Sequence, residues 1–526
     1  MTPHLTGLTA SRLGPTLLAG AVVLHLALAL GFHLSPDEAH YALYASHLDW
    51  SYFDHPPLVG WVQWPALMLG GRDFLMRVVP MACWLLAAVG VMRLTRELYP
   101  LLGSAQAALL LLVLSPMPHL LGLALVPDSL LLPITCGVML LCWRLCDVTW
   151  LRRTSLWLAL GVCLGLAGLS KYTAVMLALG AALVLLRVHG KRLLALPGPW
   201  MAVVLALILI TPVLGWNATH NWISFTYQLG HVAGAQEWRL GRVGVFLLVQ
   251  FIVFGCLLLV GLIAVVRSRQ VGTHVARGPE STTSQMPISP ISPISPLFFC
   301  VCFGLPSLLL FAFLSGRGSA LPHWTAPGWL ALMPPAAAGC VVLWTRHRVP
   351  LMVMGAVQAL TFAVLAGLML TGGVASEKDA QAQSQPGQML DTAPVNPFAD
   401  LHGWDAAAVR GRALAQMQGV KTLAVMNWTL ANRIAWYARP LPVKVVQRHF
   451  DQFDLWFGTL VPGESVVLID WSLMSFAPPV GPQQFERCDV LEQLPARRMG
   501  RQIAHFSYML CRNWQGPLEP PLGRPG

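Results

Sequence analysis

The chain has 526 residues, of which 56% are apolar and only 11% charged, with a formal net charge of +11. Soluble domains carry roughly one quarter charged residues, so this composition excludes an ordinary soluble protein. The basic residues are scattered over short segments, which excludes a nucleic-acid-binding patch as the source of the charge.

Apolar runs long enough to cross a hydrocarbon core of about 30 Å recur through residues 1–370. They predict eleven spans, at 13–34, 78–97, 102–119, 125–145, 154–171, 172–188, 198–216, 244–266, 297–314, 326–344 and 350–370. The first run has no clear small-residue cleavage site and leads straight into a polar loop, so it reads as a retained helix.

That loop, residues 35–77, is the most informative stretch of the chain. It contains Pro36-Asp37-Glu38-Ala39-His40-Tyr41 and then Tyr52-Phe53-Asp54-His55-Pro56-Pro57, with Asp49 and Asp73 nearby. Acids at the rim of a hydrocarbon slab are costly unless solvated or paired, so their clustering points to a working site. Asp49 and Asp73 read as ordinary solvated charges, whereas Asp37 and Asp54 sit among prolines and aromatics that can fix them.

Threading eleven spans with the N terminus in the cytoplasm puts 14 Lys and Arg residues inside, against six outside: Arg72, Arg77, Lys171, Arg239, Arg242 and Arg317. That asymmetry obeys the positive-inside rule. Residues 268–296 then become a cytoplasmic linker, in which Ile288-Ser289-Pro290-Ile291-Ser292-Pro293 fits an extended chain. Most cysteines lie in or beside apolar runs as small packing residues, and no paired metal-ligand spacing emerges.

Residues 371–399 read as a polar linker and 400–526 as a small extracytoplasmic α/β domain. Helices are predicted at 403–418 and 429–438, and strands at 421–426, 443–446, 464–470 and around 503–511. Cys488 and Cys511 are the only cysteines there. Antiparallel pairing of the last strand with one beginning at Cys488 brings them together as a disulfide; two separately buried thiols are the competing reading.

The ordered set of outer-face motifs resembles the bacterial relatives of protein O-mannosyltransferases. These are GT-C membrane glycosyltransferases that include the lipid A aminoarabinose transferase. The likeness rests on the Asp37-Glu38 pair, Tyr52–Pro57, Val126-Pro127-Asp128, Leu169-Ser170-Lys171-Tyr172, His220-Asn221-Trp222 and Pro322-His323-Trp324-Thr325, and runs on to Asn427-Trp428 and Ala435-Trp436-Tyr437. It covers about 30–470 in the same order. It implies an all-α membrane domain with a small outer α/β domain in a bacterial inner membrane, moving a sugar from a polyprenyl-phosphate donor to a lipid, glycan or protein acceptor.

A donor with an apolar tail, an interfacial phosphate and a sugar beyond it needs a groove, a cation and a carboxylate. Asp37 suits a general base for an inverting attack, with an N-terminal cap as the competing role. Glu38 suits orientation of a neighbour or an arginine, and Asp128 is either a site acid or a helix cap. Lys171, at the end of an apolar run, suits the phosphate, or else snorkels to headgroups. Arg239 and Arg242 either clamp phosphate oxygens or flank the next helix. Tyr52, His55, Tyr227, His323 and Trp324 are candidate substrate contacts. Asp54 and His231, with His55, form a candidate set for a divalent ion. The family's Glu-Lys pair in this region is Asp54-His55 here, so that carry-over is partial. A lipid-linked-sugar flippase or transporter is the alternative class; against it, the acids gather on one face and no two-half repeat is evident.

Overall fold

The structure is a computed structural model that describes residues 4–233, 237–268, 294–318, 320–374, 396–447 and 449–516. Nearly all of the 268–296 linker and most of the 371–399 linker lie outside the described residues, as does the His231 side chain.

The chain is a multi-pass membrane protein. Six described helices are long and apolar enough to cross a bilayer, or eight if each of two bent pairs counts as one crossing. Two shorter apolar helices, Leu13–Ala29 and Thr154–Ser170, accompany them. The expectation of eleven continuous spans needs correction at two places. The run at 102–119 is a broken pair, Ser104–Leu114 and Pro116–Leu123, bent by 71°. Pro116 lacks the N–H that would continue the ladder and pushes Ser115 into an extended conformation. The run at 244–266 is likewise broken, into Leu240–Phe254 and Cys256–Arg267 bent by 95°. Gly255 makes that corner at φ +89°, where a Cβ would meet the Gln358 amide at 1.9 Å. The two breaks support each other, because Ser115 Oγ bonds the Phe254 carbonyl at 2.8 Å. The expected spans at 326–344 and 350–370 lie in one element, Ala326–Thr371, whose backbone leaves helical geometry at His347, just before Pro350.

The first loop is mostly helical. Helix Pro36–Ser46 starts with a capping box: Ser35 Oγ accepts from the Glu38 N–H, and Glu38 Oε2 accepts from the Ser35 N–H at 2.9 Å. Proline at the first position suits its fixed φ.

The outer domain holds a five-stranded sheet. Strands β1 (Leu423–Val425), β2 (Val443–Val445) and β3 (Val466–Trp471) are parallel; β4 (Phe485–Arg498) and β5 (Arg501–Trp514) form an antiparallel hairpin against β3. Helices Trp404–Met417 and Trp428–Ala438 cover the sheet, as the apolar spacing predicted, and a further short helix, Gln452–Phe457, was not foreseen. Cys488 and Cys511 face each other in register with their Cα atoms 4.0 Å apart, and they form the disulfide.

One continuous apolar core joins Trp404, Trp436, Trp471 and Phe506 of the outer domain to Leu34, Ala39, Ala42 and Leu43 of the first loop. The helix that carries Asp37 is therefore packed as part of the outer domain, although about 360 residues separate them in sequence.

Candidate active site

Asp54 is the most heavily bonded acid of the first loop. Tyr44 donates its hydroxyl to Oδ1, His55 Nδ1 lies 3.0 Å from Oδ2 and His40 Nε2 lies 3.2 Å from Oδ2. The other His40 nitrogen meets Asn432 Oδ1 of the outer domain at 3.0 Å. Burial alone would raise the Asp54 pKa, but the charges and hydrogen bonds of His40 and His55 hold it well below the ordinary carboxylate value. Burial disfavours a charged His40, yet the Asp54 charge and its hydrogen bond outweigh that and raise His40 above its ordinary value. Each partner thus favours the charged form of the other.

Asp128 heads a second station. It is fully buried in the first turn of helix Pro127–Leu145, and Lys171 Nζ donates to both its oxygens at 2.7 and 2.9 Å. His323 Nε2 lies 3.5 Å from Oδ2, and the Lys171 ammonium sits 5.0 Å from the Trp324 ring centroid. Lys171 follows the last turn of Thr154–Ser170, where the helix stops and Ser170 Oγ bonds the Pro127 carbonyl at 2.8 Å. The turn carrying His323 and Trp324 is fixed from behind by buried Gln250, which donates to the Pro322 carbonyl and accepts from Thr325 and Trp329.

Asp37 belongs to neither station. Its half-buried carboxylate makes no hydrogen bond or ion pair among the described residues. Its charge nonetheless reaches His40, Tyr41, Lys171, His323 and Arg433. Tyr41 stands in the field of all three acids: burial, then Asp54, Asp37 and Asp128 raise its pKa well above 10, so it remains a hydroxyl donor. Asp54 is thus paired with His40 and Asp128 with Lys171, while Asp37 has no ion-pair partner among the described residues.

The remaining candidates are distributed as follows. Glu38 is buried against Arg77, with contacts of 2.8 and 3.2 Å; Arg77 also donates to the carbonyls of Ala29, Phe32 and His33. Its chemistry is that of a buried, fully bonded ion pair, the arginine partner anticipated above. Tyr52 is fully buried and its hydroxyl ties together Tyr44, His47 and Asp49, which makes it a clamp for the loop. Tyr227 packs on Phe53 with ring centroids 4.7 Å apart. Arg239 is exposed before helix Leu240–Phe254, and Arg242 donates to the Glu237 carbonyl at 3.0 Å. Among the described residues no group of three His, Cys, Asp or Glu is arranged to hold a metal, and the Asp54 carboxylate is already shared among Tyr44, His40 and His55.

Two acids read as solvated are instead committed. Asp73 accepts from Tyr437 at 2.5 Å and Trp436 at 3.2 Å, and Asp49 accepts from Trp216 at 2.9 Å. Sequence reasoning also gave no role to Tyr44, Gln250, Asn432 or Gln452, the last of which accepts from the Phe53 N–H at 2.7 Å. Their only local signal is polarity beside aromatic residues.

Known proteins share this architecture. Residues 54–216 match the family described as dolichyl-phosphate-mannose-protein mannosyltransferase. The lipid A galacturonosyltransferase RgtD of Rhizobium johnstonii is 28% identical over 189 residues, which is 35% of this chain and 38% of that protein. The match thus spans well under half the length of that relative. Crystal structures of ArnT from Cupriavidus metallidurans superpose over almost the whole chain at 16% identity. The apo form gives a TM-score of 0.60 over 97% of this chain and 100% of ArnT. The form bound to undecaprenyl phosphate gives 0.61 over 95% and 98%. The chain thus shares the fold of these ArnT structures.

Proposed function

We propose that this protein is an inverting glycosyltransferase of the bacterial inner membrane that moves a sugar from a polyprenyl-phosphate donor to an extracytoplasmic acceptor. The observation that carries the reading is Asp37, a half-buried acid with no ion-pair partner among the described residues, whose charge reaches both the His40 and the Lys171 stations. Asp37 takes the proton of the acceptor hydroxyl as its oxygen attacks the anomeric carbon. The bond from that carbon to the phosphate oxygen breaks, and polyprenyl phosphate leaves with the electron pair. Lys171 supplies the cation nearest the leaving phosphate: two of its three N–H donors go to Asp128, and the third is available. Arg239 and Arg242 are further phosphate-binding candidates, and Tyr227, His323 and Trp324 line the sugar side.

The likeness to a structure holding undecaprenyl phosphate and to a lipid A galacturonosyltransferase supports a polyprenyl-phosphate donor and a lipid acceptor. The N terminus and residues 268–296 are assigned to the cytoplasm and residues 371–526 to the periplasm by the basic-residue asymmetry. The Cys488–Cys511 disulfide fits an oxidising compartment.

The test is transfer of radiolabelled sugar from a polyprenyl phosphate to envelope acceptors by the purified protein. Asp37→Asn should lower the rate by about 10²–10⁴, the range typical of a lost general base, while thermal stability stays unchanged. Product formation at the wild-type rate would remove Asp37 from the mechanism, and no transfer to any acceptor would return the flippase reading. An impermeant thiol reagent on intact spheroplasts should label a cysteine placed at Ser384 and not one at Ser284.

A further inference from the structure

The β4–β5 hairpin ends in Arg497-Arg498-Met499-Gly500-Arg501, and its tip does not sit free in solvent above the protein. Arg498 Nη2 donates to the Gly31 carbonyl at 2.7 Å and its Nε to the Leu370 carbonyl at 2.8 Å. Those carbonyls mark the ends of helices His4–Ala29 and Ala326–Thr371, so the tip is held against the ends of two apolar helices.

The turn itself is unusual. Arg498 pairs with Arg501, leaving Met499 and Gly500 as the two central residues, with φ of +47° and +78°. Such a turn favours Asn or Asp at its first position; an unbranched apolar side chain there gains nothing locally and carries backbone strain. Met499 is nevertheless 72% exposed, as are Leu30 and Val374, each 74%, beside the same two helix ends. Arg497 and Arg501 flank the tip, exposed and with side chains that make no hydrogen bond or ion pair among the described residues. Below the tip a cleft of about 520 Å³ opens between Leu30, His33, Asp405, Pro495 and Arg497. Of the cleft's acids, Asp405 lies 3.5 Å from His33 and Asp73 accepts from Trp436 and Tyr437, while Arg497 and Arg498 are the arginines that line it.

We propose that this hairpin tip is a membrane-contact site. Met499 enters the headgroup region of the bilayer beside Leu30 and Val374, and Arg497 and Arg501 bind the phosphates of anionic phospholipids. Apolar residues ringed by arginine at headgroup depth match the chemistry of that zone, where cations meet phosphate and soft apolar chains meet the upper acyl region. The contact seats the outer domain on the bilayer and thereby steadies Asn432 and Gln452 against the first loop. It does not depend on the reaction assigned above.

The test uses the full-length protein in lipid nanodiscs with a fluorescent amino acid in place of Met499, or in place of Val490, which is 67% exposed on the same strand well away from the tip. Lipids spin-labelled near the headgroup should quench the probe at 499 and spare the one at 490. Quenching should strengthen as phosphatidylglycerol replaces phosphatidylcholine. Arg497→Glu and Arg501→Glu should raise the phosphatidylglycerol fraction needed for half-maximal quenching by about fivefold each. If the charge reversals fold poorly, Arg497→Gln and Arg501→Gln keep the strand pairing and remove the cations. Equal quenching at 499 and 490, or quenching indifferent to anionic lipid and to both arginines, overturns the proposal.

Discussion

The two stations of the site draw on different parts of the chain. Asp54 is held by His40, which is held in turn by Asn432, 392 residues further along in the outer domain. Asp128 is held by Lys171 and His323, all three at the ends of membrane helices. The first station reports on how well the outer domain is docked; the second stands on the helix bundle alone. Lesions in the outer domain should therefore loosen one and spare the other.

The largest effect that sharpens this contrast is expected inside the bundle. Lys171→Ala leaves the fully buried Asp128 without its cation, a change that typically costs about 3–5 kcal/mol. Thermal unfolding in detergent should drop accordingly, and donor use should fall with it. Lys191→Ala, at an exposed helix end, should stay within about 0.5 kcal/mol. Replacing the pair together, Lys171→Met with Asp128→Leu, should recover much of the stability without recovering transfer, because the penalty comes from the unpaired charge. Equal losses from Lys171→Ala and Lys191→Ala would leave Lys171 as a residue that merely reaches the headgroups.

The same contrast explains what was legible in the sequence. The apolar runs, the helices at 404–417 and 428–438, the strands and the Cys488–Cys511 pairing all follow from local patterns, and they were read within a few residues. The helix breaks carried local marks too, Ser115-Pro116 and Gly255, but length and hydropathy masked them. What escaped were long-range pairings. Nothing near Asp73 announces that Tyr437 will bond it across 364 residues, and nothing near His40 announces Asn432. Charged residues in a loop look solvated until the domain that covers them is in place, which is why Asp49 and Asp73 look free in the sequence and are not. Asp37, singled out for the prolines and aromatics around it, sits in the first turn of its helix without a hydrogen bond or ion pair among the described residues.

A middling effect should come from the outer domain. The disulfide closes a separation of 23 residues, and losing a loop of that size should cost roughly 3 kcal/mol by the chain-entropy account. Cys488→Ser with Cys511→Ser should lower hydrogen-exchange protection in β3, β4 and β5 and around His40. Protection around Asp128 should hold. Loss at both stations would show that the two are coupled through the bundle after all.

The smallest effect is a pH dependence confined to the first station. Asp54 is held well below its ordinary value of 3.8, so its contribution to docking is complete above that pH and lost as the pH falls further. His40 is raised above its ordinary 6.5, so its contribution is complete below that pH and lost as the pH climbs through the higher folded value. Docking is therefore firmest between pH 3.8 and 6.5 and loosens on the alkaline side. Asn432→Ala, which removes one hydrogen bond from His40, should cost about 1 kcal/mol near pH 6. The stability difference between wild type and His40→Asn should shrink as the pH is raised from that point, since the imidazolium that distinguishes them is being titrated away. A difference that stays flat with pH would mean that His40 is held as a neutral ring, and that the outer domain reaches Asp54 through hydrogen bonding alone.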